Sequence, residues 1–497
     1  MASILVLVTS APLVLTLLCV VAPRRFNEIA TVVVSVAMAV LAIALVPAAT
    51  SGTVTAGFLR ADALSVVFLI ATAVLYALTA IYSIGYLGVA AGPDGDEGDA
   101  RRVPDRYRRR FYVGLNAFAW SMLCAPLVNG LAMLWIAIEI TTVVSALLVA
   151  LDNTDGAAEA AWKYVLIASS GLGIALLSTI VLYYAGSQVL GSSYDLAFDP
   201  LLNVARELPA TPVQLAFGLA VVGFGTKVGL FPVHTWLPDA HAEAPTPVSV
   251  LLSGALLATS FYAILRFFQI AVAALGPTFP QTVLLIFGVL SLLLAALSLF
   301  DQHHVKRMLA YSSIEHMGIL AIGVSFGAPL AFAGVLLHVI AHALAKGGAF
   351  MGAGVLVHTF GTKDIGRIRG ALTTLPWSGP MFLLCVFALS AFPPFGIFRS
   401  EFMIVAGGIA ASHGVAAASL VALVTFAFAG LAIATTRMLA APAEVTDVPV
   451  TRGEPSTWMV VPVVLALAGL VVLGVHLPNE LVALLNAGAA ELQGVGR

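Results

Sequence analysis

Long apolar runs separated by short polar segments recur along almost the whole chain. A helix needs about 20 apolar residues to cross the hydrocarbon core of a bilayer. Fourteen runs approach or exceed this length, at residues 4–22, 29–49, 63–86, 111–127, 130–151, 161–184, 212–231, 247–270, 280–300, 308–326, 329–358, 375–408, 414–436 and 457–477. The pattern therefore predicts an all-α polytopic membrane protein with about fourteen transmembrane helices.

The composition agrees with this fold class and excludes several others. Of the 497 residues, 60% are hydrophobic and only 10% are charged, whereas a soluble domain carries about 25% charged residues. An ordinary cytosolic enzyme is therefore excluded, and a net charge of −2 predicts no nucleic-acid partner. Cys19, Cys124 and Cys385 lie in apolar runs without CxxC spacing, so neither a disulfide framework nor an iron–sulfur cluster is expected.

The distribution of lysine and arginine among the loops predicts the orientation of the chain. Cytoplasmic loops of membrane proteins carry the excess of these residues. With the N-terminus outside, the outer side receives four of them, Arg60, Arg206, Arg266 and Arg497. The inner side receives fifteen, Arg24, Arg25, Arg101, Arg102, Arg106, Arg108, Arg109, Arg110, Lys306, Arg307, Lys363, Arg367, Arg369, Arg437 and Arg452.

This asymmetry predicts an even number of spans, with both termini outside the plasma (inner) membrane of a prokaryote. The run RRVPDRYRRR at 101–110 dominates the inner side, and the alternative is that it docks an acidic partner there. The first apolar run is read as a retained helix, because its arginines follow it, whereas a signal peptide has basic residues before the apolar run.

Four basic residues fall inside predicted helices, namely Lys163, Lys227, Lys346 and Arg399. An ionisable group at membrane depth costs roughly 2.5–3.5 kcal/mol on insertion scales, so such groups are candidates for function. Two carboxylates share this property, Glu139 in the fifth predicted helix and Glu401 in the twelfth.

The eleventh predicted helix carries His338, His342 and Lys346 at intervals of four residues. This spacing places all three side chains on one helix face, along a rise of about 12 Å. A titratable series of this kind suits proton relay, and the alternative is that it holds neighbouring helices together by ion pairing.

Proline residues interrupt two apolar runs close to these ionisable residues. Pro232 follows Lys227 by five residues, and Pro393 and Pro394 precede Glu401. Proline removes a backbone donor and clashes with the preceding turn, so helices 7 and 12 should be discontinuous. Two broken helices at corresponding positions of two halves are typical of inverted-repeat transporters; two ordinary kinks are the alternative.

The sequence contains no nucleotide-binding glycine loop, zinc-ligand spacing or haem-type cysteine pair. His338 and His342 lie on the same helix, whereas membrane haem normally takes its ligands from two helices. We therefore expect no cofactor and no metal, and any electron transfer should take place in other subunits.

Three motifs carry a family resemblance. The segments GFGTKVGLFPVHTWLPDAHAEAPTPVSVLLSG, KRMLAYSSIEHMG (306–318) and HVIAHALAKGGAF (338–350) resemble the antiporter-like proton-pumping subunits. These occur in respiratory complex I, multi-subunit cation/proton antiporters and membrane-bound nickel–iron hydrogenases. The resemblance covers residues 60–440, and SSIEHMG and PPFGIFRSEF look most like hydrogenase-4 component F and formate hydrogenlyase membrane subunits.

The resemblance implies two inverted five-helix repeats. Residues 1–110 would then hold three N-terminal transmembrane helices and a basic cytoplasmic loop, and 111–272 the first repeat, helices 4–8. Residues 279–440 would hold the second repeat, helices 9–13, and 457–497 a C-terminal helix with a short tail.

The resemblance also implies roles for particular residues. Glu139 would pair with Lys227, and the series on helix 11 would lead to Glu401. The eight site residues that it implies for proton transfer are Glu139, Lys227, His234, His241, His338, His342, Lys346 and Glu401. One departure is Ala258, which occupies the place of the central helix-8 lysine of the complex I relatives.

The function implied by the resemblance is a proton-translocating subunit of a complex I-like oxidoreductase of the membrane-bound hydrogenase type. Its partners would be other membrane subunits, the lipid bilayer and a peripheral electron-transfer module on the cytoplasmic side. Two alternatives remain: a subunit of a cation/proton antiporter, and a non-pumping membrane anchor for a soluble enzyme, which would explain Ala258.

The orientation can be tested with a single cysteine introduced near the basic loop. In an Asp105→Cys variant whose three native cysteines are replaced, a membrane-impermeant maleimide should label the protein in inverted vesicles. It should not do so in intact cells. Labelling of intact cells would place this loop outside and contradict the orientation.

Overall fold

The computed structural model describes residues 1–89, 103–440 and 452–494, and helices account for most of them. The helices are α1 Ala2–Val21, α2 Arg24–Ala44, α3 Val46–Ser51, α4 Ala63–Val89, α5 Asp105–Cys124, α6 Leu131–Val149, α7 Asp155–Leu190, α8 Phe198–Asn203, α9 Ala210–Val228, α10 Trp236–Glu243, α11 Thr246–Leu251, α12 Leu257–Leu275, α13 Thr278–Ser298, α14 Val305–Ser325, α15 Pro329–Phe360, α16 Ala371–Thr374, α17 Ser378–Leu389, α18 Gly396–Ala410, α19 Gly414–Leu439, α20 Thr457–Val475 and α21 Asn479–Gln493. A short hairpin, β1 Val54–Ala56 and β2 Leu59–Ala61, pairs antiparallel before α4.

This architecture confirms the predicted all-α polytopic membrane fold. In the described part of the chain, eleven helices are long and apolar enough to cross a membrane. The other predicted spans coincide with α5, with α14 and with the pair α17 and α18. The total of fourteen spans, the two inverted repeats and the division of the chain into the four segments given above stay predictions. The C-terminal tail forms α21, which packs against α4 and α15.

Three spans form the centre of the bundle: α4, the span made of α11 and α12, and α15. They are almost entirely buried and pack against one another, whereas only about a third of the residues of α1, α2 and α19 are buried. The Gly347–Gly348 pair allows α15 to pack this closely, because a Cβ atom at Gly347 would lie 2.5 Å from Leu75 Cδ1. A π-helical turn, Leu252–Leu256, joins α11 to α12.

The predicted break in helix 7 lies between α9 and α10. Gly229 ends α9 in the left-handed region, with φ of 85°. Backbone groups that the break leaves without helical partners are hydrogen-bonded by side chains, as irregular backbone at membrane depth requires. Trp236 Nε1 donates to the Thr226 carbonyl at 2.7 Å, and Phe231 N donates to Ser291 Oγ at 2.9 Å.

The predicted break in helix 12 lies between α17 and α18. Phe392 N donates back to the Phe387 carbonyl at 3.0 Å, which closes the end of α17. Helix α20 covers the break at Gly474, where a Cβ atom would meet the Pro394 carbonyl oxygen at 1.8 Å. Both breaks inferred from proline are therefore present, and neighbouring helices pack against both.

The basic residues predicted for opposite sides of the membrane lie at opposite ends of α4. At its beginning, Arg60 and Arg266 both bind Asp62. At its end, Arg108 donates to the Leu87 carbonyl and to Glu28. The two predicted faces are thus separated in space. Arg101 and Arg102, at the start of the basic run, lie outside the described residues.

Several assignments of basic residues were wrong. Lys163 is not buried: 48% of its side chain is exposed, and it pairs with Glu159 and Asp239. Arg399 is only half-buried. Arg266 is not in a loop but inside α12, where it is fully buried. Helical position alone does not distinguish a side chain that points into the bundle from one that reaches the interface.

The buried network at the beginning of α4 connects distant parts of the chain. Asp62 accepts from Arg266 Nη2 at 2.7 Å and from Ser65 N at 2.9 Å, so it also caps α4. Arg60 reaches Asp199 at 2.9 Å. Burial opposes ionisation of Asp62, but the charges of Arg266 and Arg60 outweigh it and hold the pKa of Asp62 well below its usual range.

Neutralising this aspartate should destabilise the protein strongly. Asp62→Asn keeps a good helix N-cap but leaves the buried guanidinium group of Arg266 without its charged partner, and Arg60 with Asp199 alone. Breaking a buried ion pair in this way typically costs about 3–5 kcal/mol. Asp301→Asn, at a residue whose side chain is 93% exposed, is the control and should change little. Unfolding in mixed micelles measures both, and equal stability of the two variants would contradict a structural role for the network.

Candidate functional site

Lys227 lies at the end of α9, next to the first break, and its side chain is fully buried. Its Nζ donates to Thr142 Oγ1 at 2.9 Å and to the Tyr164 hydroxyl. Tyr164 is held by Ser145 at 2.7 Å, and its ring packs on Trp236 with centroids 4.5 Å apart. The ammonium group of Lys227 therefore sits among hydroxyl oxygens and aromatic faces.

Glu139 lies one turn before Thr142 on α6, close enough to Lys227 for electrostatic interaction. Ser169 Oγ donates to its Oε1 at 3.4 Å, and its Oε2 has no hydrogen-bond partner among the described residues. The two side chains expected to pair thus share one cluster without touching. Thr142 accepts a hydrogen bond from Lys227, where the Glu139 carboxylate was the expected partner.

A second cluster surrounds α15, next to the other break. His338 Nε2 lies 3.1 Å from His316 Nδ1, and His338 Nδ1 lies 3.0 Å from Ser400 Oγ. Ser400 Oγ donates to the Ile397 carbonyl at 2.8 Å, so its oxygen is free to accept from His338 Nδ1–H. A neutral imidazole carries one proton, so His338 Nε2 then accepts from His316 Nδ1–H.

The remaining members of this cluster are buried and incompletely hydrogen-bonded. The His342 ring lies 5.2 Å from that of His316, and Lys346 Nζ donates to the Leu309 carbonyl at 3.0 Å. Buried polar groups normally have partners. Among the described residues, these buried side-chain atoms have none: Glu315 Oε2, His316 Nε2, His342 Nδ1, His342 Nε2 and Glu401 Oε1.

His241 lies between the two clusters. Its ring stacks on Trp236 at 6.5 Å and on Phe350 at 5.5 Å. Trp236 also faces the Lys227 ammonium group at 6.0 Å, and Phe350 lies one turn beyond Lys346 on α15. Both ring nitrogens of His241 lack partners in the described part of the chain. His234 lies apart, in the break itself, stacked on Phe231 at 6.1 Å.

The helix-8 position highlighted by the sequence is buried and apolar. Ala258 is only 3% exposed and follows the π-helical turn. The hydroxyl groups of the same span are engaged elsewhere: Ser253 Oγ meets Ser313 Oγ of α14 at 2.7 Å, and Thr259 donates to its own helix. Helix 8 therefore offers no basic side chain at this position, and these two hydroxyl groups are already hydrogen-bonded.

The structure brings seven of the eight predicted residues into the two clusters or between them. Glu315 and His316 on α14 were not predicted, although both lie in an apolar helical run and meet the same criterion as Glu139. Tyr164, Thr142 and Ser400 were not predicted either, because a buried hydroxyl group has no distinctive sequence signal. The sequence shows no metal-ligand spacing here, because the nitrogen and oxygen atoms that meet come from three different helices.

Buried lysine, glutamate and histidine side chains beside two discontinuous helices are typical of membrane proteins that carry ions or protons. Such groups are costly at membrane depth, and those that are present usually serve a function. The chain belongs to the NADH:quinone oxidoreductase/Mrp antiporter transmembrane family, whose model matches residues 128–427.

The chain is also similar to individual members. The hydrogenase-4 component F homolog of Methylacidiphilum infernorum is 35% identical over 370 residues, which span 74% of this chain and 76% of that protein. A chain of an archaeal membrane-bound sulfane sulfur reductase has the same fold, with a TM-score of 0.82 at 22% identity, over 99% of this chain and 98% of that one. A chain of the Mrp complex from Dietzia sp. has a TM-score of 0.85 at 18% identity, covering 100% and 99%.

Proposed function

We propose that this chain is a proton-translocating membrane subunit of a multi-subunit, complex I-like oxidoreductase of the membrane-bound hydrogenase type. The observation that carries the proposal is a series of ionisable side chains that runs from the half-buried Glu139 through fully buried lysine and histidine residues to the buried Glu401, beside both broken helices. The similarity to a hydrogenase-4 component F homolog supports the hydrogenase type. The main alternative is a subunit of a cation/proton antiporter, supported by likeness of fold and by a family model that covers both kinds of protein.

The first part of the path consists of Glu139, Lys227 and the hydroxyl groups between them. Lys227 donates to Thr142 and Tyr164 and not to the carboxylate, so the pair is apart in this conformation. A closed pair would retain the proton on the lysine by Coulomb attraction. Opening the pair, as seen here, makes the lysine proton available for transfer towards the second cluster.

His241 bridges the two halves of the path. Ala258, in the place of the helix-8 lysine, supplies no side-chain carrier between them. His241, however, shares Trp236 with Lys227 and packs on Phe350 beside Lys346. A histidine accepts at one ring nitrogen and donates at the other, with an ordinary pKa near 6.5. With water at its unpartnered nitrogens, it replaces the absent helix-8 lysine.

The second part of the path runs from Lys346 through the histidines to Glu401. His316 and His338 are joined by a direct hydrogen bond, and His342 lies beside both. The partners of the chain would be further membrane subunits and a cytoplasmic electron-transfer module. The protein would lie in the inner membrane of a prokaryote with both termini outside.

Replacing Glu139 tests the opening and closing of the first pair. Glu139→Gln should lower proton movement per turnover several-fold while assembly persists, since the amide keeps the shape of the side chain but cannot hold the lysine proton. The matched control is Glu159→Gln, an exposed acidic residue on α7. Proton uptake by inverted vesicles, divided by substrate turnover, measures the effect, and normal coupling in Glu139→Gln would eliminate the pair from the mechanism.

Replacing His338 tests the second cluster. His338→Ala should abolish proton movement per turnover in the assembled complex, because it breaks the hydrogen-bond link between His316 and Ser400. His413→Ala is the control, since His413 packs on Phe326 at 5.7 Å, outside the proposed path. A purely structural His338 would give reduced assembly but an unchanged proton ratio in the complex that survives.

A further inference from the structure

Three side chains from three helices converge beside the second break: His316 of α14, His338 of α15 and Glu401 of α18. Each offers one nitrogen or oxygen atom, and these atoms all lie within 4.8 Å of one another, in fully enclosed surroundings. Zinc–nitrogen bonds of about 2.0–2.1 Å place tetrahedral ligand atoms about 3.3 Å apart. Two imidazole nitrogens of His316 and His338 already lie 3.1 Å apart, and Glu401 contributes an oxygen to the group of ligand atoms within 4.8 Å of one another.

The protonation pattern of His338 matches that of a metal ligand. Its Nδ1–H donates to Ser400, which in turn donates to a backbone carbonyl, so Nε2 presents a lone pair to the centre of the cluster. Metal-binding histidines are oriented in this way by a hydrogen bond from the other ring nitrogen. On metal binding, the Nδ1 proton of His316 would move to its Nε2, which has no partner among the described residues.

The charges of the cluster also suit a divalent cation. Glu401 and Glu315 each have a buried carboxylate oxygen without a partner in the described structure, and together they can neutralise two positive charges. Compensation of this kind is needed at membrane depth, where an unbalanced charge is costly. His342, with both ring nitrogens unpartnered and its ring 5.2 Å from that of His316, can supply the fourth ligand.

We propose that His316, His338 and Glu401 form a binding site for a divalent cation of the zinc class. Imidazole and carboxylate together select Zn²⁺ and its neighbours Co²⁺ and Ni²⁺ over Mg²⁺ and Ca²⁺, which prefer oxygen ligands. A cation bound here occupies the lone pair of His338 Nε2. It therefore blocks proton relay through the second cluster. This blockade rests on the proposed function, whereas metal binding at the site does not depend on it.

Metal retention by the purified full-length protein in its complex tests the site. After incubation with Zn²⁺ and desalting, elemental analysis should find one more tightly held zinc ion per chain than in complexes carrying His316→Asn, His338→Asn or Glu401→Gln. Ser400→Ala should weaken binding about 10- to 100-fold, as loss of an orienting hydrogen bond does. His303→Asn and His413→Asn are the controls and should retain the metal. Unchanged retention in the three ligand variants would overturn the proposal.

X-ray absorption of the zinc-loaded wild-type complex tests the site without relying on variants. The spectrum should show at least two imidazole ligands and one carboxylate oxygen, and a shell with fewer than two imidazoles would overturn the site. Zn²⁺ should also stop proton movement in vesicles, while the His413→Asn complex responds like wild type. A metal with the expected ligands but unimpaired proton movement would overturn the blockade and count against the proposed path. Absence of the metal would overturn the site and leave the proposed path unaffected.

Discussion

A polar group that is removed from water into the membrane interior must find its partners within the protein, and this constraint organises the whole molecule. The first broken helix illustrates it: Trp236 donates to the Thr226 carbonyl, and Ser291 accepts from Phe231 N. At the second break, α20 packs at Gly474 directly against the Pro394 carbonyl. The breaks are possible because neighbouring helices supply what the interrupted helices cannot.

The buried charges fall into two groups that satisfy the same constraint differently. At the beginning of α4, Arg60, Arg266 and Asp62 form a closed network in which each charge has an opposite partner. A network of this kind stabilises one conformation and releases no proton. Around α15, by contrast, carboxylate and imidazole atoms lack protein partners in the described structure. Incomplete pairing is costly, and in the proposed function it leaves these groups available to exchange protons.

The two halves of the site use different chemistry. In the first half, a lysine is held by hydroxyl groups and aromatic faces, so its protons are donated to neutral oxygens and not to a carboxylate. In the second half, three imidazoles lie in contact distance of one another. His241 joins them through aromatic packing and not through a hydrogen bond. This makes it the point at which water or a side-chain movement must complete the connection.

The sequence by itself determined the fold class, the family, both helix breaks and most of the ionisable site residues. Apolar run length, proline and charge at membrane depth are local properties that can be read from consecutive residues. Only the tertiary structure decided which charges are buried, since the long side chain of Lys163 reaches the interface while Arg266 points into the bundle. It also decided the separation of Glu139 from Lys227 and the meeting of His316, His338 and Glu401. Such contacts join residues far apart in the chain, and they depend on how helices pack and rotate against one another, which no local pattern records.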